Sequence, residues 1–191
     1  MSRPTAITGA LAGLLLAAAV VFPVFFRSYE LTASNMEPSI ASGEGFTARK
    51  ASSADRGDIV AFDKPAAAGG PFGILVSRVV AVEGDHIESI DGVLHVNAEA
   101  TEMPAAGEET LDLEAQIVPA NHLFVMGDNR QHSADSRDFG PIPEESIVAV
   151  HLFNGPRIGR WLLYLAAIGA GLFVLGVWRD RSSGGPAAVV N

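Results

Sequence analysis

Three stretches of this chain concentrate the residues that could do chemistry. Leu31-Thr32-Ala33-Ser34-Asn35-Met36-Glu37-Pro38-Ser39-Ile40 sets a hydroxyl beside a carboxamide. Ile74-Leu75-Val76-Ser77-Arg78-Val79-Val80 places one serine and one arginine in an apolar run. Gly127-Asp128-Asn129-Arg130-Gln131-His132-Ser133-Ala134-Asp135-Ser136-Arg137-Asp138-Phe139-Gly140 mixes carboxylates, guanidinium groups and hydroxyls. A hydrolase needs a nucleophile with a base in reach. Asn35 is a very poor nucleophile, because its amide nitrogen lone pair is delocalised. Ser77 has no basic nitrogen and cannot serve as a general base near neutral pH. Ser34 adjoins Asn35, but in an extended segment neighbouring side chains point to opposite faces, so it is expected to face away. Lys50 and Lys64 are the only lysines and read as surface residues. The histidines, His86, His95, His122, His132 and His151, show no metal-type spacing. Of these, His132 alone lies within one of the three stretches, which makes it the best candidate for a substitute base. No metal or cofactor is expected. The absence of cysteine excludes disulfides, thiolate chemistry and Cys-type zinc sites.

The elements that must carry these residues are mostly strands. Ile59-Val60-Ala61-Phe62, Ile74-Leu75-Val76 with Arg78-Val79-Val80-Ala81-Val82, His122 to Met126, and Ile147 to Val150 are short apolar runs bounded by turn residues. Ile87 to Val96 alternates around Asp91-Gly92, a hairpin signal because both turn residues accept positive φ. Ala98 to Leu113 is rich in Ala, Glu, Gly and Pro and reads as an acidic surface excursion.

The two ends differ from the middle. Pro4 to Phe26 is 23 residues without a charge, between Arg3 and Arg27. At about 1.5 Å per residue it can cross a hydrocarbon core of about 30 Å. It exceeds the apolar core of about 7–15 residues usual for a cleaved leader, so an uncleaved anchor is expected. Trp161 to Trp178 is 18 uncharged residues between Arg160 and Arg179. Its terminal tryptophans match the aromatic belt of a bilayer. The expected organisation is an anchor over 1–27, a β domain over 28–160, a second transmembrane helix over 161–178, and a short tail over 179–191. Net charge is -9, and residues 28–156 hold 21 Asp/Glu against 7 Lys/Arg. An acidic domain of this kind is a poor nucleic-acid binder.

Taken with Arg56-Gly57-Asp58-Ile59-Val60 and Gly84-Asp85, the three stretches occur in the order found in type I signal peptidases, which this chain resembles over residues 31–150. The resemblance implies a mainly β fold, a coiled antiparallel sheet domain, here flanked by N- and C-terminal transmembrane helices. It also implies residence in the bacterial cytoplasmic membrane, with the domain outside and both termini in the cytoplasm. The charges flanking the spans do not choose the orientation.

That family cuts peptide bonds with a Ser-Lys dyad. By resemblance Asn35 occupies the nucleophile position, Ser77 the general-base position, and Ala33 the position of a hydroxyl that helps bind the oxyanion. Met36, Pro38, Arg78, Asp128, Asn129, Arg130, Ser133, Asp135 and Arg137 are then the scaffold of a former site. Asp128-Asn129-Arg130 would form a turn, Asp135 and Arg137 an ion pair, and Ser133 would have contacted the lysine amine. The expected protein is a membrane-anchored relative that does not cut. It would hold an extended peptide or secreted precursor, or serve as a subunit of a membrane complex. The alternatives are an active signal peptidase with a non-standard dyad, and a structural subunit that binds no peptide. A residue that merely replaces a nucleophile has little packing to lose, so Asn35→Ala is expected to leave stability nearly unchanged.

Overall fold

The computed structural model describes residues 13–15, 17–19, 21–101, 113–155, 164–165, 167–168, 170–171, 173–175 and 178. The chain divides into two compact units, residues 1–25 with 157–191, and residues 26–156. In the first unit the described residues are helical. Among them no helix is long and apolar enough to cross a membrane. Much of both expected spans, and all of the 179–191 tail, lies outside the described residues, as does 102–112 of the acidic excursion.

The second unit is mainly β. Its strands are β1 (Phe26–Glu30), β2 (Gly45–Lys50), β3 (Ile59–Asp63), β4 (Ile74–Val82), β5 (His86–Ile90), β6 (Val93–Val96), β7 (Glu99–Ala100), β8 (Gln116–Ile117), β9 (His122–Met126), β10 (Ile142–Pro143) and β11 (Ile147–Asn154). One sheet runs β1-β2-β11-β3-β4-β9-β10, the other β7-β6-β5-β8. Among the described residues the strand pairings are antiparallel, consistent with the expected fold class.

The apolar runs form strands because the large sheet is covered on both faces. Along β3, Ile59 and Ala61 enter one core cluster, with Met36, Ile40, Phe46 and Val76. Val60 and Phe62 enter the opposite cluster, with Val79, Val125 and Ile142. Burial on both faces removes the need for polar alternation. A third cluster joins the sheets: Val80, Phe124 and Met126 from the large one, Ile87, Leu94 and Val96 from the small one. In the β5–β6 hairpin Ile90 pairs with Val93. Asp91 and Gly92 take φ of 52° and 80°, which the hairpin turn requires.

Candidate functional site

β4 is the spine of the site. Its register against β3 is Ile59↔Arg78 through Asp63↔Ile74. The bonds Val79 N–H to Asp58 O and Lys64 N–H to Gly73 O obey the same register. Antiparallel pairs alternate in bonding, so residues 73, 75, 77 and 79 bond toward β3. The main-chain groups of Ile74, Val76 and Arg78 therefore face the other edge. At Arg78 that edge is taken by β9, through Arg78↔Met126. β9 ends there, so among the described residues Ile74–Ser77 has no strand partner on that side. The Asn35 side chain stands in: its Nδ2 donates to Val76 O at 2.7 Å.

The Leu31–Ile40 stretch is a series of turns, not the extended segment expected. Glu37 N–H donates to Ser34 O at 3.2 Å and Ile40 N–H to Met36 O at 2.9 Å. The cause is burial. Met36 and Ile40 are both 0% exposed in one cluster, and the turn closed by Ile40 N–H on Met36 O brings both side chains into it. The opposite-face argument for Ser34 therefore does not apply. Both carbonyls here are held by one residue: Asn129 N–H donates to Asn35 O at 2.9 Å and Asn129 Nδ2 to Ser34 O at 3.1 Å. Ala33 is exposed, and Pro38 lies exposed within the turns.

Arg78 binds this turn to two others. Its Nε and NH2 grip both oxygens of Asp128, at 2.8 and 2.6 Å. NH1 donates to Gly57 O at 2.7 Å and NH2 to Ser39 Oγ at 3.2 Å. Asp128 is 1% exposed, so this bidentate pair is shielded and strongly directional. Asp128 is thus committed to Arg78, while Arg130–His132 forms a single 3-10 turn after Asn129.

Asp135 and Arg137 do pair. Arg137 Nε lies 2.9 Å from Asp135 Oδ1, NH2 lies 3.1 Å from Oδ2, and Asp135 is 0% exposed. Asp135 also accepts from Gly127 N–H at 2.9 Å and caps the short helix α1 (Ser136–Phe139) in a capping box with Asp138. Arg137 NH2 reaches on to Arg130 O at 2.6 Å. The carboxylate thereby ties the end of β9 to α1.

Extending the β4–β9 register by one residue sets Ser77 across from Gly127. There is no room for a side chain at Gly127: a Cβ would lie 2.6 Å from Asn35 O and closer still to Ser133. Ser77 Oγ and Ser133 Oγ are both buried without a hydrogen-bond partner. Buried hydroxyls are normally satisfied, so these two orphans mark where the site departs from a complete polar network. No described lysine or histidine bonds to Ser34, Ser77 or Ser133. His132 Nδ1 lies 3.2 Å from Asn129 Oδ1, and its ring is exposed. Lys50 is exposed on β2 and Lys64 sits in the β3–β4 hairpin. Among the described residues no cluster could hold a metal ion.

Comparison with known proteins bears on this arrangement. The family described as signal peptidase, peptidase S26, matches residues 5–154. Thylakoidal processing peptidase 1 of Arabidopsis thaliana chloroplasts is 33% identical over 153 residues, 71% of this chain and 45% of that protein. Signal peptidase I V of Bacillus subtilis is 32% identical over 144 residues, 65% of this chain and 83% of that protein. The chain thus spans less than half the length of the thylakoidal relative. A crystal structure of a signal peptidase I from Enterococcus faecalis superposes with a TM-score of 0.43 at 26% identity, over 51% of this chain and 95% of that one.

Proposed function

The chain belongs to the signal peptidase family, peptidase S26, and on that premise we propose that it binds an extended peptide or secreted precursor without cutting it. The observation that carries this reading is the pair of residues at positions 35 and 77. Asn35 donates to a main-chain carbonyl, and Ser77 is a buried hydroxyl with no base bonded to it. Loss of the nucleophile or the base in a serine hydrolase lowers the rate by about 10⁴–10⁶, and the two losses overlap rather than multiply. The orphaned Ser133 hydroxyl supports the same history, since a lysine amine at position 77 is the kind of partner it lacks.

Binding survives where chemistry does not. The outward main-chain groups of β4 near Ile74 offer an edge to which an extended peptide can add as a strand, with side chains read by adjoining surface. The two uncharged runs anchor the protein in the bacterial cytoplasmic membrane, both termini inside and the β domain outside. In this setting the protein serves as a precursor-holding accessory or as a subunit of a membrane complex. The rival reading, an active peptidase with a non-standard dyad, is favoured by the names of the relatives, which are peptidases.

One experiment separates the two. The purified full chain, mixed with a preprotein bearing an Ala-x-Ala site, should release no product from mildly acidic to alkaline pH. Asn35→Ser with Ser77→Lys together should restore measurable cleavage, each alone should not, and Ala33→Ser should raise the restored rate by returning an oxyanion donor worth about 3–4 kcal/mol. Wild-type turnover that survives Ser34→Ala and His132→Ala would refute the proposal. So would a folded triple variant that stays silent, since the cleft would then be remodelled beyond its dyad.

A further inference from the structure

The open edge of β4 is short and blocked at one end. Ile74 N–H, Ile74 O and Val76 N–H point away from β3, and among the described residues nothing bonds to them. The next outward group, Val76 O, is taken by Asn35 Nδ2 at 2.7 Å. Beyond it Arg78 is paired with Met126 of β9. A strand laid on this edge therefore runs no further than Val76 N–H. The amide nitrogen that a continuing peptide would bring to Val76 O falls where Asn35 Nδ2 already sits. The plug is held through its main chain, because Asn35 O accepts from Asn129 N–H at 2.9 Å and Ser34 O from Asn129 Nδ2 at 3.1 Å.

What can end at this level follows from the donors. Only the nitrogen of a carboxamide can face a carbonyl, and that nitrogen carries two hydrogens. One goes to Val76 O, and among the described residues no acceptor meets the other. Val76 N–H is the neighbouring donor on the edge. A peptide running parallel to β4, with its last residue here, gives its final N–H to Ile74 O and sets its carboxylate against Val76 N–H. A terminal carboxylate brings acceptors alone and needs nothing from Val76 O. An internal stretch brings an N–H that finds Val76 O occupied, and an N-terminal ammonium brings donors to donors. Long-range charge does not supply such a preference. Residues 28–156 hold 21 Asp/Glu against 7 Lys/Arg, which repel an anion. Arg78, the cation on β4, is committed to Asp128. The selectivity comes from the short-range donors, and hydrogen bonds to an ionised acceptor are roughly twice as strong as neutral ones.

We propose that Asn35 is the specificity-determining residue of this edge, and that the site receives the free C-terminal carboxylate of an extended peptide on Val76 N–H and the second Nδ2 hydrogen of Asn35. This deepens, and rests on, the reading of the chain as a peptide holder that does not cut. The ligand is then the upstream product of a peptide-bond hydrolysis carried out elsewhere, the class of reaction that exposes a new C-terminal carboxylate.

One N-terminally labelled peptide ending in Ala-x-Ala tests this by fluorescence anisotropy with the full chain in mild detergent. It is compared as the free acid, as the C-terminal amide, and continued by further residues. The parent should bind the free acid about tenfold more tightly than the other two forms. Asn35→Ala clears Val76 O and should bring the free acid and the continued peptide within about twofold of each other. Asn35→Asp keeps the shape but replaces the donors with a charge, and should weaken the free acid about tenfold while sparing the amide. Far-ultraviolet circular dichroism confirms that both variants are folded. Equal affinity of the parent for all three forms overturns the proposal and leaves the peptide-holding reading in place. A preference for the free acid that persists in both variants also overturns it, because Asn35 would not set it. Binding of no form by parent or variants refutes proposal and reading together. Cleavage of the continued peptide, read by mass spectrometry after the titration, refutes the reading on which the proposal rests.

Discussion

Asp135→Ala removes several interactions of one buried carboxylate at one stroke. The buried carboxylate accepts from Gly127 N–H, from Arg137 N–H at 3.2 Å, and from the Arg137 guanidinium at both oxygens. Losing the helix cap alone costs about 1 kcal/mol. Leaving Gly127 N–H buried without an acceptor costs about 1–3 kcal/mol. Breaking a buried ion pair from one side costs about 3–5 kcal/mol, and these figures overlap because one carboxylate serves all three. A net loss of about 3–5 kcal/mol is expected, lowering Tm by about 12–20 °C for a domain of this size. Arg137→Ala should cost less, since Asp135 keeps the donors at Gly127 and Arg137 N–H. Asp135→Asn with Arg137→Met should cost less than the two single changes summed, because neither partner is left as a buried charge. Thermal melting of the full chain in mild detergent, followed by far-ultraviolet circular dichroism, measures all four proteins. If Asp135→Ala loses less than about 1 kcal/mol, the carboxylate does not hold β9 to α1 and the reasoning fails.

Ser77→Ala should be neutral or slightly stabilising, because it deletes a buried hydroxyl that bonds to nothing; a loss in chemical denaturation would reveal a hidden partner. Gly127→Ala should destabilise the domain by about 1–3 kcal/mol, since a Cβ there meets the Asn35 carbonyl and Ser133, and faster amide exchange across residues 34–40 would show the turn coming loose. Burial pushes the Asp85 carboxyl up, but the Val82 N–H, the Asn97 amide and Arg56 outweigh it and hold the group below the ordinary carboxylate range. A depressed folded value means that Asp85 stabilises at neutral pH and that this contribution is lost as pH falls through the folded value; Tm against pH should therefore fall less steeply in acid for Asp85→Asn than for the parent.

The parts of the fold that were legible in the sequence are those buried on both faces. β3, β4, β9 and the start of β11 are mostly apolar, and Asp91-Gly92 declares its own turn. β2 was not visible, because Gly45-Phe46-Thr47-Ala48-Arg49-Lys50 looks mixed while Phe46, Thr47 and Ala48 are all buried. β1 was hidden because its Phe26 belongs to the same uncharged run as the residues before it. At the site, the ion pair of Asp135 with Arg137 followed from resemblance. The turned path of Leu31–Ile40 did not, since it depends on a core assembled from β2, β3, β4 and β11. Nor did the partner of Asn35, which lies 41 residues away on β4. That bond corrects one expectation directly. Asn35→Ala gives up a part-buried hydrogen bond, so it should cost about 0.5–1.5 kcal/mol rather than nothing.

The same bond makes the change at position 35 hard to undo. Within the reading proposed above, a serine there would be shorter than asparagine and would have to leave Val76 O to point its hydroxyl at a substrate. On that reading the carboxamide supplies a contact in place of a reacting hydroxyl. A substitution to serine gives up that contact, and on the same reading a lone serine without the lysine brings no catalysis to offset the lost bond. Positions 35 and 77 would then have to change together before any rate returned, so the side chain bonded to Val76 O also works as a ratchet.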